Sequence, residues 1–119
     1  MEITALGDRC LQQMAVQGSP PSTITEYDRV VRQFVSYLTV RAGAANDVRA
    51  FTAEAGRGFM LYLGALGVKP STIRHRLSVL STLAKFAMVE RDGRGRPLLA
   101  ANPLLAFTWP KRQRAKKEF

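Results

Sequence analysis

The tetrapeptide Pro-Ser-Thr-Ile occurs twice, at residues 21–24 and 70–73, and each copy heads a run of apolar residues at helical spacing. The first of these helices is expected to start at Ser22 or Thr23. In the first run, Tyr27, Val30, Val31, Phe34, Tyr37 and Leu38 share one face, while Thr25, Arg29, Arg32 and Ser36 share the other. The second run places Ile73, Leu77, Val79, Leu80, Leu83, Ala84, Phe86, Ala87 and Met88 on one broad arc. Arg74, His75, Ser78, Ser81, Thr82 and Lys85 lie opposite. An apolar arc that wide packs against several neighbours, so this helix is expected to be central. Arg76 falls on the apolar arc. It either extends past the edge of the core on its long stem or pairs with an acid such as Glu54.

The rest of the chain reads as helix and connection, with no clear strand. Ile3, Leu6, Cys10, Leu11 and Met14 give helical spacing across residues 2–17, ended by Gly18-Ser19-Pro20-Pro21. Thr23 and Glu26 have the spacing of a capping box for the next helix, which runs to about Val40. After a loop at 42–46, a third helix capped by Thr52 or Asp47 carries Phe59, Met60, Tyr62, Leu63 and Leu66. Gly56, Gly58 and Gly64 inside it each cost about 1 kcal/mol relative to Ala, unless another backbone packs closely there. Asp92-Gly93-Arg94-Gly95-Arg96-Pro97 reads as a loop or hairpin without compact structure. Asn102-Pro103 has the form of a cap and first residue of one more helical turn, after which Leu104, Leu105, Phe107 and Trp109 can close the core. The expected fold is all-α, a compact bundle of four to five helices.

Charge is unevenly spread. Residues 1–68 carry six basic and six acidic side chains, whereas residues 69–119 carry twelve basic and three acidic, so the whole net +9 lies in the second part. Such a field bears on partners rather than fold. It points to DNA, RNA or an anionic surface, or else to a solvated basic face. Arg74, His75 and Arg76 are placed in the first turn of the second Pro-Ser-Thr-Ile helix, where cations cost a few tenths to about 1 kcal/mol each. A phosphate docked at that helix start would reverse the sign. Arg74→Ala is therefore expected to stabilise the free chain slightly. The run Lys111-Arg112-Gln113-Arg114-Ala115-Lys116-Lys117 holds five basic residues in seven and is expected to be solvated or to follow a phosphate backbone.

Several classes are disfavoured. One cysteine, Cys10, cannot form an intramolecular disulfide, and it reads as a small buried apolar residue. No Cys/His cluster has zinc spacing, so no metal or cofactor is expected. The start of the chain lacks the basic-then-apolar pattern of a signal peptide, and no stretch approaches the roughly 18 apolar residues of a membrane span. The chain is expected to be cytoplasmic, with no membrane or small-molecule partner.

In this order, Ser22-Thr23-Ile24-Thr25-Glu26-Tyr27 with Phe34 and Tyr37-Leu38, then 59–66, then Ser71-Thr72-Ile73-Arg74-His75-Arg76-Leu77-Ser78-Val79-Leu80, then Asn102-Pro103 ahead of Pro110-Lys111, form a set. The set resembles the N-terminal core-binding, SAM-like domain of tyrosine recombinases, the phage-type integrases. The resemblance covers nearly all of the chain from about residue 5. It implies a helical domain over 1–110 that grips one side of duplex DNA, and a basic linker at 111–119 towards a catalytic domain that grips the other side. Its partners would be duplex DNA and other recombinase protomers. Carried onto this chain, the DNA-binding residues would be Thr23, Thr25 and Arg29 on the first helix and Lys69, Ser71, Thr72, Arg74, His75 and Arg76 on the second. Lys111 and Arg112 would follow in the linker. The stretch between Arg91 and Ala101 is longer than the connection usual in the family.

Catalytic residues are not expected in this chain. Chemistry in the family the chain resembles belongs to the downstream domain. Tyr27, Tyr37 and Tyr62 lie on or beside apolar faces, which favours packing over a nucleophile's role. His75 is the only histidine and has no thiol or carboxylate partner fixed by the sequence. Two other classes stay open at this point: a stand-alone helical DNA- or RNA-binding protein, and a helical protein-interaction module.

Overall fold

The computed structural model describes residues 1–112 and is helical throughout. Its α-helices are α1 (Ile3–Val16), α2 (Pro21–Ser36), α3 (Ala53–Ala65) and α4 (Pro70–Val89). Single turns follow α2 (Tyr37–Arg41, π-type), precede α3 (Val48–Ala50, 3-10) and follow α4 (Pro103–Leu105, 3-10). The all-α bundle is therefore the observed architecture.

The core grows from the apolar faces. Phe34 of α2 meets Phe51 and Phe59 with ring centroids 5.3 Å apart in both pairs, and all three rings are buried. On α4, Ile73, Leu77, Val79, Leu80, Leu83, Ala84 and Ala87 are all buried, as expected of a central helix. Ile3, Leu6 and Cys10 bury α1 in the same core, so this helix packs on its own bundle. Gly7 lets α1 approach α2 closely, since a Cβ there would meet Val31 at 3.1 Å. Burial pushes the Cys10 thiol up, away from its reactive thiolate form.

Helix starts depart from local expectation. No capping box forms on α2: Pro20 occupies the cap position without a side-chain bond, and Thr23 lies one turn inside the helix. The start of α1 is capped from a distance, with Asn46 Oδ1 accepting from the Ile3 N–H at 2.9 Å. Both proposed caps near α3 are used, Asp47 by the Val48–Ala50 turn and Thr52 by α3 itself. The end of α2 widens into a π-turn in which the Ala42 N–H reaches the Tyr37 carbonyl and Thr39 Oγ1 donates back to Val35.

Two glycines of α3 make room for side chains, where a backbone was expected. Gly56 lies under Phe107 and Leu104, and a Cβ at Gly58 would run into the Tyr37 hydroxyl. Residues 99–110 thus form a strap across α3 and α4. Buried Asn102 caps its 3-10 turn and donates to Ser81 Oγ at 2.8 Å, and Leu104 is fully buried. Leu105 is instead 76% exposed, because a 3-10 turn sends successive side chains about 120° apart.

The segment after α4 is more ordered than its glycines imply. Residues 90–98 close into a small hairpin, with Arg91 bridging Pro97 and the Asp92 N–H donating to the Arg96 carbonyl at 2.8 Å. Asp92 Oδ1 accepts from the backbone N–H groups of Arg94 and Arg96, which supplies the local order that composition alone does not reveal.

Candidate nucleic-acid interface

Each Pro-Ser-Thr-Ile copy begins its helix at the proline, so Pro21 and Pro70 are first helical residues. This moves the basic residues inward. Arg74 is the fifth residue of α4, past the first turn to which the dipole effect is largely confined. The same holds for Glu26 and Asp28 on α2, whose first turn carries no acid. The dipole argument therefore weakens, and what matters is which groups the cations meet.

On α2 they meet carboxylates. Arg29 pairs with Glu26 at 3.5 Å, and Arg32 pairs with Asp28 at 3.1 Å. On α4 they mostly do not. Arg74 donates to the Pro110 carbonyl at 2.8 Å and sits 5.5 Å from the centre of the Trp109 ring. Arg76, half-buried, donates to the Gln33 side-chain oxygen of α2 at 3.0 Å, so its partner is this amide and not Glu54. Neutral oxygens orient a guanidinium without cancelling its charge. His75 is the exception on α4: its Nε2 stands 3.9 Å from Glu26, joining the two helices.

The structure brings four of the expected residues into one pocket. Ser71, Arg74, His75 and Ser78 line a shallow pocket of about 360 Å³ with Trp109 and Arg112, so the outgoing chain passes beside the start of α4. Lys69, the cap residue of α4, is exposed, as are Ser71, His75, Lys111 and Arg112; Thr72 is half-buried. Thr25 and Arg29 are exposed on α2 and Thr23 is half-buried; Glu26 Oε1, 3.9 Å from His75 Nε2, links this stretch to the start of α4. Ser78 and Trp109 are the members that sequence reasoning left out. Ser78 was legible as polar-arc and one turn beyond Arg74, whereas Trp109 passed for a core residue. Its indole N–H donates to the Leu104 carbonyl at 2.7 Å, leaving one ring face for Arg74. Residues 113–117 of the basic run lie outside the described residues.

Tyr27, Tyr37 and Tyr62 pack against the core, with Tyr37 and Tyr62 ring centres 5.1 Å apart. Among the described residues no three His, Cys, Asp or Glu side chains gather in a group able to hold a metal ion, and no helix is long and apolar enough to cross a membrane.

The family model for the phage integrase N-terminal SAM-like domain matches residues 11–91, two thirds of the chain. The chain belongs to that family. Full-length members are recombinases. Neither a curated protein nor a solved structure matches the chain. The integrase-family match spans α2, α3 and α4 and the last six residues of α1, and stops at Arg91, where the hairpin that follows α4 begins to bridge.

Proposed function

We propose that this integrase-type domain is the core-binding arm of a tyrosine recombinase, clamping duplex DNA at a recombination site while chemistry is done by a downstream domain. The observation that carries this reading is the company of the α4 cations: Arg74 and Arg76 are oriented by neutral oxygens, so their charge is available to an anion. Lys69, Ser71, Thr72 and His75 accompany them on α4, and Thr23, Thr25 and Arg29 would approach the same duplex from α2. Lys111 and Arg112, opening the linker of 111–119, emerge beside α4 and would continue along the backbone. Other protomers on the same DNA would complete the assembly.

Titration of the chain with random duplex at several salt concentrations tests the reading. The expected result is micromolar or weaker binding, with a log–log slope set by roughly six to nine phosphates at about −0.9 each. A flat plot removes the nucleic-acid reading. A strong preference for RNA over duplex DNA in parallel titrations removes the recombinase reading alone.

A further inference from the structure

From Asp92 on, the hairpin at 90–98 lies beyond the part matched to the family, and residues 91–96 are all charged or glycine: Arg91, Asp92, Gly93, Arg94, Gly95 and Arg96. All six are exposed. None of the three arginines makes an ion pair among the described residues. Asp92 Oδ1 accepts from the Arg94 N–H at 2.8 Å and the Arg96 N–H at 3.0 Å, while the charge of this carboxylate also acts on Arg96. Those bonds hold its carboxyl below the usual aspartate range and close the tip, which Gly95 completes with φ +76°. The legs are fixed too. Leu98 donates its N–H to the Glu90 carbonyl at 3.0 Å, Leu99 donates to Ala87 at 3.3 Å, and both leucine side chains pack on the core. The result is an ordered loop that projects three guanidinium groups around a single tip carboxylate, Asp92, which is tied to the loop's own backbone.

We infer that this hairpin is a second phosphate-contact point, gripping the backbone of the duplex held by the starts of α2 and α4. The inference rests on the DNA-binding reading above. The 20 residues of α4 separate the hairpin from Pro70, which at about 1.5 Å per residue is about 28 Å. A duplex offers phosphates at that separation about eight base-pair steps on, at about 3.4 Å per step. Guanidinium forks match phosphate oxygens in pairs, and a preformed loop loses little freedom on binding them. A protein partner fits less well. Protein interfaces are centred on aromatic and apolar anchors, and residues 91–96 include none.

The test is salt-dependent titration of random duplex with the wild-type chain, with the triple variant Arg91→Ala/Arg94→Ala/Arg96→Ala and with Asp92→Ala. For the triple variant, the expected slope is shallower by two to three phosphates at about 0.9 each, with Kd raised roughly tenfold or more near 0.1 M salt. Its melting temperature should stay at the wild-type value, since all three side chains are exposed. Asp92→Ala separates a built site from bulk charge. It makes the chain more positive, so bulk attraction predicts tighter binding, whereas a loop that needs its Asp92 bonds predicts weaker binding. Wild-type slope and affinity in the triple variant, or tighter binding by Asp92→Ala, overturn the inference while leaving the DNA-binding reading intact. Failure of the wild-type chain to bind duplex at all overturns that reading instead.

Discussion

Arg29 and Arg32 of α2 each reach a carboxylate on their own helix, whereas Arg74 and Arg76 of α4 reach a carbonyl and an amide oxygen. The two helices begin with the same four residues and the same proline-first geometry. They differ in what surrounds the cations. A guanidinium beside a carboxylate must give up that partner to bind phosphate. One beside a neutral oxygen keeps its charge while losing rotamer freedom in advance, which is the condition for binding an anion cheaply. Two similar helix starts can thus have unequal roles: under the proposed DNA-binding reading, α4 and the strap would form the charged half of the interface, and α2 would supply a nearly neutral wall.

The sharpest way to break this comparison is to remove the cations of each helix separately. Lys69→Ala/Arg76→Ala should weaken duplex binding by about one to two orders of magnitude and flatten the salt slope by nearly two phosphates. Arg29→Ala/Arg32→Ala should change binding by less than about threefold, because the carboxylates already offset those charges. Equal losses from the two pairs would show that the neutral partners of α4 confer nothing.

A second prediction moves α2 towards the state of α4. Glu26→Gln removes the carboxylate that faces both Arg29 and His75. Duplex affinity should rise several-fold, by the order of about 1 kcal/mol, and the salt slope should steepen. Unchanged binding would place Arg29 and His75 away from the DNA.

Stability gives a third. The sequence-based expectation that Arg74→Ala stabilises the free chain is reversed by its contacts. Relief of the dipole is worth at most a few tenths of a kcal/mol past the first turn. A charged donor's bond to a carbonyl contributes about 1.5–3 kcal/mol, and stacking on an exposed ring about 0.5–1 kcal/mol. With Arg74 only half-buried these figures shrink, and a net destabilisation of about 1 kcal/mol is expected in denaturant unfolding. Trp109→Phe should lose part of the same stability, because it removes the indole bond to Leu104 as well as ring area for Arg74. A rise in stability for Arg74→Ala would mean that the strap is not held by this contact.

The smallest effect concerns the pair between Arg32 and Asp28. Asp28→Asn should cost only about 0.3–0.5 kcal/mol, as exposed helical pairs do. A larger loss would mark α2 pairing as structural and would weaken its description as a neutralised copy of α4.

The helices, their order and the centrality of α4 were legible in the residues, because a 3.6-residue period writes the buried face of a helix directly into its spacing. The caps at Asp47, Thr52 and Asn102 were legible for the same local reason, whereas the start of α2, read at Ser22 or Thr23, lies at Pro21. The resemblance of the ordered set to integrase N-terminal domains was legible as well, and the family model bears it out. What lay beyond the sequence depended on partners far along the chain. Asn46 caps α1 across 43 residues, Gln33 meets Arg76 across 43 residues, and Pro110 meets Arg74 across 36. Composition could count the basic residues after position 68 but could not say which of them meet a carboxylate. That is decided by where the bundle packs one helix against another, since the 3–4 Å reach of an ion pair or hydrogen bond is far finer than any pattern of charges along the chain.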